Sequence, residues 1–191
     1  MKPSPEDILQ QVFDQAAGAF RVTGGVHHWK QVFITPDAIT LDGAARGLQW
    51  GVPALLFDDT ATESARFNLA VPDDMDLSVN PVMRVRLAPV ANRVSGGGFR
   101  VQLNAAYVAA GEGYNSPKTD YTNVNQPVSD VMGVRTESLH TLNASQMSCG
   151  DDMLFILQRD PSYSQNRNGD MVVPLVVFEY VVNRLGKPYE V

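Results

Sequence analysis

Cysteine is almost missing from this chain: Cys149 is the only one in 191 residues. An intramolecular disulfide is therefore impossible, and stability has to come from a hydrophobic core or from subunit contacts. Placed between Ser148 and Gly150, Cys149 reads as a small turn residue rather than a nucleophile. Long apolar runs are missing too. None approaches the roughly 20 residues needed to span a bilayer, and the opening Met1-Lys2-Pro3-Ser4-Pro5-Glu6-Asp7 lacks the apolar centre of a secretory leader, so a soluble protein made in the cytoplasm is expected. Positive charge is scarce. Fifteen Lys and Arg face 21 Asp and Glu, for a net charge of -6, which argues against a nucleic-acid partner because phosphate affinity needs clustered cations. Histidine numbers three, and His27 and His28 are adjacent with His140 far away, which is no metal-ligand spacing. With no nucleophile–base pair recognisable either, the chain is expected to be neither an enzyme nor a cofactor carrier.

What is present is the material of a folded β protein. Hydrophobic residues make up 44% and charged residues 19%, while 15 glycines and 12 prolines are scattered as many short strands with many turns require. The organising stretch is residues 55–75. There an apolar run meets the acidic turn Asp58-Asp59-Thr60, then an alternating strand, then the turn Pro72-Asp73-Asp74. Successive strand side chains point to opposite faces, so Phe67, Leu69 and Val71 are expected inside and Arg66 and Asn68 in water. The same logic gives strands over 82–87, with Arg84 and Arg86 on one face, and over 99–107. It also gives strands over 134–142, over 153–157 and over 172–182. The run at 153–157 is continuously apolar, which predicts a strand covered on both faces. Pro174 lies inside the last strand and predicts an edge or a bulge there. Pro36-Asp37 predicts a hairpin between residues 30–35 and 38–41, and Trp50 is expected in a core or an interface. Ser95-Gly96-Gly97-Gly98 invites a phosphate-loop reading, but no Gly-Lys-Ser/Thr ending follows, so it is a turn.

Two segments stand apart. Residues 4–20 read as an α-helix with Ser4 as N-cap and Pro5 at the first turn, and Leu9, Val12, Phe13, Ala16 and Phe20 form one apolar stripe. Such a helix packs on its own domain or docks on a partner. Residues 111–129 have no clear period and carry Tyr114 and Tyr121, which suits protein or glycan contact. Paired acids at Asp58-Asp59, Asp73-Asp74 and Asp151-Asp152 read as turn formers, since each lacks the ligand spacing of a calcium loop.

The strand count and turn spacing predict an all-β fold, an antiparallel β-sandwich of jelly-roll type with an N-terminal α-helix. More narrowly, residues 46–183 resemble jelly-roll virion structural proteins of tailed bacteriophages. The resemblance is carried by Leu56-Phe57-Asp58-Asp59-Thr60, by Arg159-Asp160 closing a strand, and by Gly169-Asp170 opening into Val176-Val177-Phe178-Glu179-Tyr180. It implies capsid decoration (cement), a head fibre or a tail appendage. The implied protein resides in the virion, has no cofactor, and is a homo-oligomer, a trimer being favoured. Its implied partners are the major capsid protein or other virion proteins, with no nucleic acid and no membrane. The corresponding division is an arm at 1–45 with the helix and hairpin, a sandwich at 46–183 and a tail at 184–191. Partner contacts are expected at Leu9, Val12, Phe13, Phe20, Tyr114 and Tyr121. The alternative function is a tail-associated receptor- or glycan-binding module, with Tyr114, Tyr121 and Tyr163 sharing one exposed groove. A hydrolase would instead need carboxylates converging in a pocket.

Overall fold

A computed structural model describes residues 13–14, 19–21, 28–92, 98–109, 111–114, 117–127, 131–162, 169–182 and 184–185. Among these residues fourteen strands run in chain order: β1 (Phe13–Asp14), β2 (Ala19–Arg21), β3 (His28–Ile34), β4 (Thr40–Asp42), β5 (Ala45–Gln49), β6 (Val52–Phe57), β7 (Glu63–Ala70), β8 (Val82–Pro89), β9 (Gly98–Val108), β10 (Lys118–Pro127), β11 (Thr136–Thr141), β12 (Asp152–Arg159), β13 (Met171–Val182) and β14 (Arg184–Leu185). Two antiparallel sheets face each other. One has the order β10-β9-β12-β7-β4; the other has β11-β8-β13-β6-β5, with β3 added beside β13. From β3 onward the chain passes back and forth between the sheets, as in a jelly roll. The predicted β-sandwich is therefore the observed architecture.

The core lies where the inward faces meet. Leu55, Phe57, Met83, Val85, Leu87, Val176 and Phe178 come from one sheet, and Phe67, Val101, Leu103, Phe155 and Leu157 from the other, all buried. Phe67 and Phe155 stack with ring centroids 5.0 Å apart. Burying each such side chain contributes about 1.5–3 kcal/mol, so inward alternation dominates the choice of register over any local propensity.

Strand β13 sits at the centre of its sheet and solves a geometric problem. Along one edge it pairs with β8; along the other it pairs first with β6 (Val173 opposite Leu55) and then with β3 (Val176 opposite Ile34). Pro174 falls in the gap between those two partners, and the β8 register shifts by one residue between Val172 and Leu175. A proline has no N–H to give a ladder. Here the bulge predicted at Pro174 puts that missing donor where no partner strand requires it. The shift also keeps Met171, Val173, Val176, Phe178 and Tyr180 all in the core cluster despite the odd-to-even change.

Several expectations are corrected. The helix over 4–20 is not found: its described residues, Phe13–Asp14 and Ala19–Arg21, are short antiparallel strands, with Phe13 opposite Phe20 and β14 pairing on β2. Helix propensity there is weakened by Gly18, which costs about 1 kcal/mol in a helix interior, and tertiary pairing with residues 184–185 outweighs the rest. Leu9 and Val12 lie outside the described residues. Pro36-Asp37 opens no hairpin. Pro36–Ala38 is a short 3₁₀ turn that carries the chain from β3 in one sheet to β4 in the other, with Ile34, Pro36 and Ile39 buried along the crossing. Residues 28–42 thus belong to the sandwich and not to an arm before it. The segment 111–129 is not structureless, because ten of its residues form β10, paired with β9 at every position from Lys118 to Pro127. Both faces of β10 are mostly polar, which hides the period-2 signal. Gly98 is required by this pairing, since a Cβ there would stand 2.5 Å from the Gln126 carbonyl oxygen.

One buried polar cluster inside the sandwich is fully paired. His140, fully buried, lies with Nδ1 2.8 Å from Thr122 Oγ1 and Nε2 3.0 Å from Ser138 Oγ, hydroxyls that can give or accept as the neutral ring needs. Burial disfavours the imidazolium and holds its pKa down to about 4 from 6.5. The unfolded chain therefore takes up a proton first as pH falls. The His140 contribution is intact above about pH 6.5 and is lost between 6.5 and 4, at roughly 1.4 kcal/mol per pH unit. His140→Gln is expected to flatten that slope in denaturant titrations at stepped pH; a slope unchanged in the variant would assign the loss elsewhere.

Candidate functional site

The outward face of the five-stranded sheet carries the most distinctive surface. Register alone brings Tyr121, Asn104, Ile156, Arg66 and Thr40 into one row across β10, β9, β12, β7 and β4. The next row holds Thr119, Ala106, Leu154 and Asn68. These residues line an open groove of about 680 Å³, within the range of roughly 300–1,000 Å³ typical of small-molecule sites. Its floor is apolar at Ala106, Leu154 and Ile156, and its walls are polar.

Each wall residue has a definite state. Tyr121 stands 55% exposed on the edge strand with its ring free to be covered. Among the described residues, the side-chain amides of Asn68 and Asn104 make no hydrogen bond within the protein. Arg66 is tied to Asp42: Nη2 donates to Oδ2 at 2.5 Å, while Ser64 Oγ donates to the same oxygen at 3.2 Å. The Arg66 bond first, and the Ser64 bond second, hold the Asp42 carboxyl below the usual carboxylate range. Asp120, the single carboxylate among the groove residues, turns inward and accepts from the Asn143 N–H at 2.8 Å. No pair of acids therefore faces across the groove among the described residues.

Tyr114 joins the same face. Its hydroxyl donates to Asp152 Oδ2 at 2.5 Å, and Asp152 is in the outward set of β12 with Leu154 and Ile156. Asp152 lies four positions along β12 from Ile156, about 13 Å of strand, so Tyr114 stands to one side of the row that runs from Tyr121 to Thr40. Of the expected contact residues, Tyr114 and Tyr121 are thus brought to one face. Phe13 and Phe20 oppose each other in the small third sheet, and Leu9, Val12 and Tyr163 lie outside the described residues.

Other candidate features resolve into structural roles. Of the three acid pairs, Asp58 makes an Asx turn, its Oδ1 accepting from Thr60 N at 2.6 Å; Asp74 accepts from the Tyr180 hydroxyl at 3.1 Å and Asp151 from Ser148 N at 2.8 Å, while Asp152 lies in β12 and not in a turn. Further Asx turns form at Asp76, whose Oδ1 accepts from Ser78 N at 2.9 Å, and at Asp160, whose Oδ1 accepts from Ser162 N at 3.0 Å. Asp58, Asp59 and Asp170 bring carboxylate oxygens within 4.8 Å of one another. Beside them lies Arg159, the fully buried residue that closes β12; its Nη1 donates to the Phe57 carbonyl at 3.1 Å and its guanidinium lies 4.8 Å over the Phe99 ring. Burial lowers the Arg159 pKa while Asp59, Asp170, Asp58 and Glu63 raise it. The three acids are accordingly the counter-charge of a buried cation. The Arg-Asp and Gly-Asp motifs of the sequence meet at this point, with the Gly169 N–H donating to Asp59 Oδ2 at 2.5 Å.

A second surface is apolar. The two-residue turn Trp50-Gly51 joins β5 to β6 with both residues at positive φ (53° and 76°), and the Trp50 indole packs on Gly133. Leu48, Trp50, Val52, Val131, Met132 and Val134 are all exposed on the hairpin and the adjoining loop. Trp50, expected in a core or interface, is 47% open.

No family model and no curated protein matches the chain. Solved structures with a similar course include the CBM36-1 domain of a multidomain xylanase from the hindgut metagenome of Trinervitermes trinervoides (11% identity, 78% of this chain and 96% of that one, TM-score 0.45). The mannan-recognising carbohydrate-binding module TmCBM27 is also similar (12%, 80% and 98%, TM-score 0.41). So is the structure of infectious bursal disease virus Gx strain (7%, 86% and 37%, TM-score 0.40). The fold assignment rests on the strand pairing above, not on these distant likenesses.

Sequence reasoning places Arg66 and Asn68 in water but does not show that they join Asn104, Ile156 and Thr40. One signal is available. The run Met153-Leu154-Phe155-Ile156-Leu157 predicts cover on both faces, yet only Met153, Phe155 and Leu157 are fully buried, while Leu154 and Ile156 form the half-open floor. The outward positions of this central strand are thus apolar at Leu154 and Ile156 and only partly covered.

Arg159→Ala should cost roughly 3 kcal/mol, since it removes a buried cation and its ring contact and leaves three neighbouring carboxylates uncompensated. A thermal melt checks this, and an unchanged Tm would show that the acids do not depend on Arg159.

Proposed function

We propose that the chain is a non-catalytic glycan-binding module, of the kind that attaches a virion to a host surface, and that the five-stranded face is its binding surface. The observation that supports this reading is the single row Tyr121, Asn104, Ile156, Arg66 and Thr40. A sugar ring has an apolar face of C–H groups and an equator of hydroxyls. An exposed tyrosine ring and an aliphatic floor suit the first; open side-chain amides, which give and accept at once, suit the second. Each exposed hydrogen bond contributes only about 0.5–1.5 kcal/mol net. Binding at one groove would be weak, and an oligomer presenting several grooves would gain by avidity.

Tyr121→Ala should weaken glycan retention about tenfold, or 1.4 kcal/mol, at an unaltered Tm. Affinity electrophoresis through polysaccharide gels reads this directly. Equal retention of variant and parent would remove Tyr121 from the site, and with it the reading.

The capsid-decoration reading draws on a different observation, the exposed apolar side chains of the Trp50 hairpin and of the loop at 131–134, which meet where Trp50 packs on Gly133. Such a group of uncharged side chains suits a protein partner, whether a capsid subunit or another copy of this chain. Trp50→Ser combined with Met132→Ser should then reduce co-sedimentation with empty capsids or lower the solution mass. A variant that matches the parent in both would leave the patch without that role.

A further inference from the structure

We propose that the groove accepts a neutral glycan chain and rejects anionic ones, because Asp42 cancels the charge of Arg66; this rests on the glycan-binding reading above. Arg66 is the one cation among the groove residues, and its guanidinium is already engaged by Asp42 at 2.5 Å, with Ser64 holding the same carboxylate. The rest of the outward face follows suit. Arg100 is paired with Asp160 at 3.5 Å and also donates to Asn123 Oδ1 at 3.0 Å, and Gln102 donates to Asp160 at 3.3 Å. Asp152 accepts from Tyr114. Among the described strand residues of this face, with Asp160 directly after β12, two cations (Arg66, Arg100) meet three anions (Asp42, Asp152, Asp160). Lys118 lies in the inward-facing set of β10 with Asp120 and Thr122. A uronate, sialate or sulfate entering here would have to displace a carboxylate from its arginine, against the long-range repulsion of a chain with net charge -6.

The neutral groups have the opposite character. Asn68 and Asn104 present amides to the groove, and Thr119 and Thr40 present hydroxyls at its two sides. Between them lie Ala106, Leu154 and Ile156, which can only meet C–H groups. The row from Tyr121 to Thr40 crosses five strands, and its four gaps of about 4.8 Å give a path of about 19 Å. That is room for several sugar units lying across the strands, with Tyr121 stacked at one end. In this arrangement Arg66 serves as a fixed hydrogen-bond donor rather than as a free charge, its direction set by Asp42.

The test uses the full chain and two sets of probes, neutral (laminarin, galactomannan, dextran) and anionic (polygalacturonate, heparin), in affinity gels at low and high salt. At least one neutral polysaccharide should retard the protein and neither anionic one should. Asp42→Asn frees Arg66 and should raise retention by the anionic probes roughly tenfold, an effect that high salt removes. Asp42 and Arg66 are both solvent-exposed, so the loss of their pair should leave the melting temperature close to the parent's, and a melt run alongside confirms folding. Parent protein held by the anionic probes alone would overturn the neutral selectivity while leaving glycan binding standing. Retention by none of the five would overturn both. Anionic retention unchanged in folded Asp42→Asn would show that charge cancellation is not the basis of selection.

Discussion

A twelve-residue strand in the middle of a sheet must find partners along both edges, and in β13 no single neighbour on one side is long enough. The chain meets this constraint by setting β6 and β3 end to end beside it, with Pro174 at the join and a one-residue shift against β8. Much follows from that arrangement. β3 has to lie in the six-stranded sheet, so Pro36–Ala38 becomes a crossing and β4 is delivered to the far edge of the other sheet. That edge supplies Thr40 and Asp42, and so the last wall of the groove and the partner of Arg66. The surface chemistry of one sheet thus depends on how a strand in the opposite sheet is completed.

Among the described residues most cations are paired locally. Arg159 is buried against Phe99 with Asp58, Asp59 and Asp170 around it. On the outer face of the six-stranded sheet, Arg84 bonds Glu179 and Glu137, and Arg86 bonds Glu137 at 3.1 Å. The Glu179 hydrogen bond leads the factors that raise the Arg84 pKa. On the five-stranded sheet Arg66 and Arg100 have Asp42 and Asp160. A sheet face whose arginines are tied up presents neutral hydrogen-bonding groups as its available surface. The amides at Asn68 and Asn104 stand out for that reason.

The two exposed surfaces differ in kind, which bears on how they would work together. The groove is polar-walled with an aliphatic floor and suits a ligand that keeps much of its hydration. The Trp50 and Met132 cluster is apolar and suits a protein surface. A module that holds its own assembly with one surface and a glycan with the other would reconcile attachment with oligomerisation, since repeated weak contacts then act together. Tyr114, anchored by Asp152 to one side of the row, adds a second exposed tyrosine to the same sheet face.

Alternation along single strands is legible in the order of the residues, because period 2 is a local property. Phe67 inward with Arg66 and Asn68 outward, the strands at 82–87 and 99–107, and the bulge at Pro174 all follow from that order. The segment at 13–21 is ambiguous at this level: its apolar spacing fits one helical face as well as two short strands, and the choice falls to its pairing with residues 184–185. Strand β10 is hidden because Thr119, Tyr121 and Asn123 outward and Asp120, Thr122 and Gln126 inward show no polarity contrast. Its inward groups become tolerable only once Asn143, His140 and Thr136 arrive to bond them. The groove lies entirely on the tertiary side of this division. Tyr121, Asn104, Ile156, Arg66 and Thr40 come from five separate strands, and no local pattern encodes their common row. Sequence determined which side of its own strand each residue would occupy. Only inter-strand register, fixed by burial of the opposite faces, decided which of those residues would stand side by side.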